Sequence, residues 1–290
     1  MPEMPEVEIV RRGLEAQLKG AEIARLEIRT PSVVIASPEQ LDGLVGQKLE
    51  GFGRRAKYLI LELSRDRILI HLRMTGQLLV VPPGRAEQDL LPLPFTYYQR
   101  PLIGPDDKHV HGVFHFRDGT RLLYRDQRKF GRVQVLSPAE LAASPGLARL
   151  GPEPLTPEFT LPDFRARLKK TQRPIKAFLL DQAQVAGLGN IYVDEALFVA
   201  RIRPNRPASG LKPAENKRLF EAIPFVLQKG IDAGGTSLRD YLHPDGTRGE
   251  HQEHLYVYGR GGQPCLECGA ELVKTVQAQR GTHYCPSCQS

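Results

Sequence analysis

The chain has 290 residues, 41% of them hydrophobic and 25% charged, ordinary globular values that exclude a disordered or fibrous class and leave room for two domains. The opening residues lack the basic flank and apolar run of a secretory signal, and no apolar stretch approaches a membrane span, so no membrane role and a cytoplasmic location are expected. A net charge of +7 points toward an anionic partner.

The first predicted element is a helix over residues 5–19, with Pro5 in its opening turn, Glu6 and Glu8 favourable to the helix dipole, and Gly20 ending it. Many strands follow. Residues 58–63 and 68–72 read as a hairpin around Ser64-Arg65-Asp66, and residues 113–116 and 122–124 as another around Asp118-Gly119. Arg54, Arg55, Lys57, Arg65, Arg67 and Arg73 outnumber the acids between residues 51 and 75, and residues 117–132 repeat the excess. Such a pattern suits equally a solvated sheet face or a groove that tracks phosphates.

Six prolines between residues 137 and 162 exclude a long helix and mark an interdomain linker. The expected organisation is an N-terminal domain 1–136, the linker 137–162, a helical domain 163–254 and a terminal module 255–290. Helices are predicted over residues 163–170, 175–182, 191–200 and 214–233. Within them, Val185-Ala186-Gly187-Leu188-Gly189-Asn190 permits a tight turn with Asn190 capping the next helix, an arrangement that suits phosphate but serves as readily for a plain helix–helix connection.

The terminal module carries all four cysteines, as two C-x2-C pairs: Cys265 and Cys268, then Cys285 and Cys288. This is the spacing of a structural zinc site, with the intervening residues returning the chain as a β-hairpin; the competing disulfide framework needs a secretory context. One zinc ion with four thiolate ligands keeps no open coordination position, so it holds shape and performs no chemistry. His243, His251 and His254 complete no metal signature with the cysteines and are read as loop residues.

Pro2-Glu3-Met4-Pro5-Glu6-Val7-Glu8, Arg54-Arg55-Ala56-Lys57-Tyr58-Leu59, His71-Leu72-Arg73-Met74-Thr75-Gly76, Gly151-Pro152-Glu153-Pro154-Leu155, Gly187-Leu188-Gly189-Asn190-Ile191-Tyr192 and Gln279-Arg280-Gly281-Thr282-His283-Tyr284-Cys285-Pro286 occur in the order of one family. Together they resemble the formamidopyrimidine-DNA glycosylases from residue 2 to residue 289. The resemblance implies an α+β fold: an N-terminal β-sandwich flanked by helices, then a helical domain with a helix-two-turns-helix element and a zinc-finger β-hairpin, with DNA held in the cleft between domains. It implies a monomeric base-excision repair enzyme acting on bacterial nucleoid DNA. Such an enzyme excises 8-oxoguanine and formamidopyrimidines from duplex DNA and cleaves the strand by successive β- and δ-elimination.

By the same resemblance, Pro2, freed of Met1, is the amine nucleophile, Glu3 the proton donor and acceptor, Lys57 the aid to the first elimination and Arg280 to the second. Met74, Arg128 and Phe130 fill the gap left by an everted nucleotide, and His71, His109 and Asn190 contact phosphates. Glu6 reads as a structural residue of the helix end, and residues 234–253 resemble the loop that closes over an everted base. The chain departs from the family pattern at Met4, at Gln127 and in a long connection over residues 82–107, read as a surface loop. The alternatives are an endonuclease VIII-type glycosylase for oxidised pyrimidines and a noncatalytic zinc-ribbon protein that binds damaged DNA.

Overall fold

The computed structural model describes residues 2–84, 107–237, 243–245 and 247–290. They fall into two compact units, residues 1–147 with 234–250, and residues 148–233 with 251–290. Most of the long connection at 82–107 and part of the predicted closing loop lie outside the described residues.

In the first unit, helix α1 (Met4–Leu18) begins at an N-cap Glu3 whose side chain accepts from the Glu6 amide while the Glu6 carboxylate accepts from the Glu3 amide, a reciprocal capping box. Its buried stripe of Val7, Val10, Leu14 and Leu18 recurs at three- and four-residue steps and faces the core. Among the described residues nine strands follow: β1 (Ile23–Ile28), β2 (Val34–Ile35), β3 (Leu49–Arg55), β4 (Tyr58–Leu63), β5 (Arg67–His71), β6 (Gly76–Val81), β7 (Val110–Phe116), β8 (Arg121–Asp126) and β9 (Arg132–Leu136). A short helix, α2 (Pro38–Asp42), lies between β2 and β3.

The strands form a four-stranded sheet, β1-β7-β8-β6, and a five-stranded sheet, β2-β9-β5-β4-β3. Leu78, Val80, Phe114, Leu122 and Tyr124 of the first sheet share one buried cluster with Phe52, Leu59, Leu61, Ile70 and Val133 of the second, so the core lies between them. Alternation along β6 sends Leu79 and Val81 to a separate cluster on the opposite face. Both hairpins read from sequence are present: the first keeps its expected length as β4 and β5, while the second is longer than expected and spans β7 and β8, because pairing continues through polar positions such as Arg121 and Arg125.

The predicted linker region contains two short helices, α3 (Pro138–Ala142) and α4 (Pro145–Ala148). Its last proline, Pro162, stands in the first turn of α5 (Leu161–Lys169), where the missing amide would be unpaired anyway. The second unit continues with α6 (Ile175–Leu180), α7 (Asn190–Val199) and α8 (Pro213–Asp232), then the hairpin β10 (Val273–Gln277) and β11 (Arg280–Tyr284). Among the described residues no helix is long and apolar enough to cross a membrane.

Candidate nucleic-acid interface and metal centre

Pro2 and Glu3 are buried at the start of α1. The Glu3 amide donates to Glu6 Oε2 at 2.8 Å, and Glu6 Oε1 accepts from the Thr236 amide at 2.8 Å. Glu6 therefore joins the helix start to the segment at 234–237. The same segment is braced by His243, whose Nε2 lies 2.6 Å from the Gly234 carbonyl, and Pro244 accepts a bond from the Val80 amide at 2.8 Å while packing against Gly13 of α1.

Lys57 follows Ala56, which holds a left-handed φ of 52° in the tight β3–β4 turn, and is buried to 7% exposure. His71 lies nearby on β5, its ring edge-on to Tyr58 with centroids 4.6 Å apart. Burial and the charges of Arg73 and Lys57 lower the His71 pKa to about 3, and its Nδ1 accepts from the Arg73 amide. At neutral pH the ring is therefore neutral, and with Nδ1 accepting, its proton sits on Nε2, which is a hydrogen-bond donor.

Met74 precedes β6 and the Arg128–Phe130 turn follows β8, its antiparallel partner, and the two share one support. The Asp126 carboxylate accepts from Thr75 Oγ1, from the Arg128 amide at 3.2 Å and from the Gly131 amide at 2.7 Å. Both turns contain a left-handed residue, Arg73 at φ 55° and Lys129 at φ 57°. Phe130 is 49% exposed, unusual for a ring of its size, and the Arg128 guanidinium sits over it at 4.6 Å. The His109 carbonyl accepts from the Asp126 amide, drawing a third predicted contact to the same place.

In the second unit, the turn before α7 is clamped by Gln182, which donates to the Leu180 and Leu188 carbonyls and accepts from the Gly187 amide. The expected Asn190 cap is not formed. Gly189 occupies the cap position, and Asn190 instead donates to the Gly281 carbonyl at 2.8 Å, tying α7 to the zinc hairpin beside Arg280. Lys176 donates to the same carbonyl and to Asp194 Oδ1 at 2.6 Å, with both charged side chains fully buried. Asp194 Oδ2 accepts from the His283 amide, and the Glu195 carboxylate accepts from the amides of Tyr256, Val257 and Tyr258. Arg280 itself is exposed, opposite Gln277 across a two-residue turn in which Ala278 and Gln279 both have positive φ.

The four cysteine sulfurs lie within 4.8 Å of one another, with Cys265–Cys288 at 3.9 Å and Cys268–Cys285 at 3.5 Å. Thiolates about 2.3 Å from a tetrahedral zinc ion stand roughly 3.8 Å apart, so the cluster fits one structural zinc.

Asp126, Thr75, Lys176 and Asp194 escaped the reading of the sequence. Asp126 was hidden as one acid within a basic run. Lys176 had a usable signal, a charge among the buried residues Ile175, Phe178 and Leu179 of a short helix.

Three family models match: the formamidopyrimidine-DNA glycosylase N-terminal domain over residues 1–133, the H2TH domain of the same family over 150–241, and a zinc finger found in FPG and IleRS over 262–290. A formamidopyrimidine-DNA glycosylase of Heliobacterium modesticaldum is 46% identical over the full length of both chains, and one of Enterococcus faecalis is 45% identical over all of this chain and 97% of the relative. A Lactococcus lactis FPG mutant in complex with Fapy-dG-containing DNA superposes with a TM-score of 0.87 at 38% identity, covering 100% of each chain. MutM in complex with carbocyclic 8-oxo-G-containing DNA superposes with a TM-score of 0.86 at 39% identity, again covering 100% of each chain.

Proposed function

The chain belongs to the formamidopyrimidine-DNA glycosylase family, and from that membership we propose that it excises oxidised purines from duplex DNA and then cleaves the strand. Full-length identity to glycosylases of this name is the observation that carries the reading. The partner is double-stranded DNA bearing 8-oxoguanine or a formamidopyrimidine, met by a monomer on cytoplasmic nucleoid DNA. The domain boundaries read from the sequence, 1–136, 163–254 and 255–290, serve this reading as catalytic, DNA-binding and zinc-finger parts.

Removal of Met1 gives Pro2 a secondary amine, and an α-amino pKa of about 7.7–8.0 leaves a neutral fraction at pH 7. Its lone pair attacks the anomeric carbon as the bond to the damaged base breaks and the base leaves with a proton. Glu3 then protonates the ring oxygen, opening the sugar to a cationic imine. The imine acidifies the adjacent carbon, so loss of that proton expels the 3′ phosphate, a step assigned to Lys57. A second elimination, assisted by Arg280, expels the 5′ phosphate, and water releases Pro2 by hydrolysing the imine. Met74, Arg128 and Phe130 occupy the gap in the stack, while His71, His109 and Asn190 hold phosphates. When bound, zinc supplies only the fold of the hairpin that bears Arg280.

The test is borohydride trapping on matched duplexes containing 8-oxoguanine, an oxidised pyrimidine or no lesion, followed by peptide mapping of the adduct. The expected result is a preferred adduct with the 8-oxoguanine duplex, through Pro2. Preference for the pyrimidine supports the endonuclease VIII-type alternative, absence of an adduct supports a binding protein, and a crosslink at an internal lysine overturns the nucleophile.

A further inference from the structure

We propose that Asp126 is the positioning residue that sets the stack-filling loops in register, an assignment that rests on the glycosylase reading above. Asp126 closes β8 and is fully buried. Its partners are the residues flanking the wedge. Thr75 follows Met74, Gly131 follows Phe130, and the Arg128 amide completes the set while also donating to Thr75 Oγ1 at 3.1 Å. The main chain of Asp126 adds a third segment: its amide donates to the His109 carbonyl, and its carbonyl lies 2.7 Å from His111 Nε2, which donates to it.

One side chain thus joins the turn that follows it to a hydroxyl 51 residues before it, and each of the two turns contains a left-handed residue that needs its surroundings to hold it. The fit is tight around it. A Cβ placed on Gly131 would lie 2.0 Å from the buried Tyr124 hydroxyl, so the turn has no slack through which Phe130 could find its position by itself.

Hydrogen-bond sign makes the assignment testable by an isosteric change. Both carboxylate oxygens accept from a backbone amide, Oδ1 from Arg128 and Oδ2 from Gly131, and neither amide can reverse its role. In Asp126→Asn, one orientation sets the new NH2 against Gly131 N–H, and the other sets it against Arg128 N–H, leaving that amide to Thr75 Oγ1 and depriving the Thr75 hydroxyl of its acceptor. Either way the wedge turn is displaced while the sheet keeps its ladders. Eversion of a paired base depends on the wedge, whereas an abasic site has no base to evert.

Single-turnover base excision from 8-oxoguanine paired with cytosine, and strand cleavage at a preformed abasic site, are measured for wild type, Asp126→Asn, Thr75→Val and Thr75→Ser. For Asp126→Asn, excision is expected to fall by about 10- to 100-fold, the range for a buried donor deprived of its acceptor, while abasic cleavage falls less than about 3-fold. Thr75→Val should shift the two rates in the same unequal way to a smaller extent, and Thr75→Ser should restore both. Equal loss of the two activities, or unchanged excision in Asp126→Asn, overturns the assignment. If Asp126→Asn does not fold, Thr75→Val against Thr75→Ser decides by the same ratio. A wild-type protein that cleaves abasic DNA but leaves 8-oxoguanine in place removes the parent reading, and this assignment falls with it; a wild type active on both, with variants that do not separate the two activities, sinks the assignment alone.

Discussion

Replacing one member of the Lys176–Asp194 pair should cost the second unit more than replacing both. Both side chains are fully buried, and Lys176 Nζ is 2.6 Å from Asp194 Oδ1. Lys176→Met leaves a carboxylate in the interior with the His283 amide still on its other oxygen, while the Gly281 carbonyl keeps its bond from Asn190. Loss of one partner from a buried pair costs about 3–5 kcal/mol. Asp194→Leu is worse, because it removes the counter-charge of the buried ammonium and also strips the His283 amide of its acceptor, adding about 1–3 kcal/mol. The double substitution removes both charges and leaves the His283 amide and its Nδ1 without the Asp194 oxygen, so its expected cost is close to the last figure, about 1–3 kcal/mol. The chain has no tryptophan, so equilibrium urea unfolding of the zinc-loaded protein is best followed by circular dichroism, with zinc release as a separate report on the hairpin that Gly281 anchors. Two single substitutions that each cost little, and that add in the double, would refute the account of this pair.

Other outcomes follow from single groups. The buried His251 ring stacks on Tyr192 with neither nitrogen hydrogen-bonded, and burial with the charges of Lys229 and His254 lowers its pKa from 6.5 to about 4. The unfolded chain therefore takes up that proton first, so stability present above pH 6.5 drains away as pH falls toward 4. His251→Phe should stabilise the protein by about 1–3 kcal/mol at pH 7, with a wider gap at pH 5, in urea titrations at both values; a gap that narrows on acidification contradicts this. Burial alone would raise the Glu8 pKa, but bonds from Arg11, Arg12 and Arg54 hold it at about 2, so its contribution is present above pH 4.5 and lost on descent toward 2. Glu8→Gln should flatten acid unfolding in that window, as followed by circular dichroism. Arg128 offers donors only, matching the acceptors of an orphaned cytosine and not the amino group of adenine. Arg128→Ala should therefore narrow the cytosine-to-adenine rate ratio opposite 8-oxoguanine by about 1–3 kcal/mol, and a mutant that slows with the ratio intact would place the readout elsewhere. Cys268→Ser should lose zinc and DNA affinity together, measured by metal analysis and duplex titration.

The sequence by itself determined the parts whose signal is local. Two C-x2-C pairs specify a metal because the ligands are neighbours in the chain, and the helix over residues 5–19 is legible because cap, dipole and apolar stripe lie within a few turns. Both hairpins could be read for the same reason, although the ends of the second could not, since its strand pairing runs on past the apolar positions into residues such as Arg125. The ordered motifs carried the family, and with it the expected catalytic and binding residues.

Only the tertiary structure decided how those residues are held. Nothing local says that Asp126 gathers two amides from the turn that follows it and a hydroxyl 51 residues away, or that Asn190 leaves its cap position to reach Gly281. Nor does a lysine in a short helix announce a buried partner at Asp194 and a carbonyl 105 residues on. A buried polar atom must be satisfied by whatever the fold brings within about 3 Å, and that neighbour is set by packing of distant segments, for which a single sequence carries no spacing.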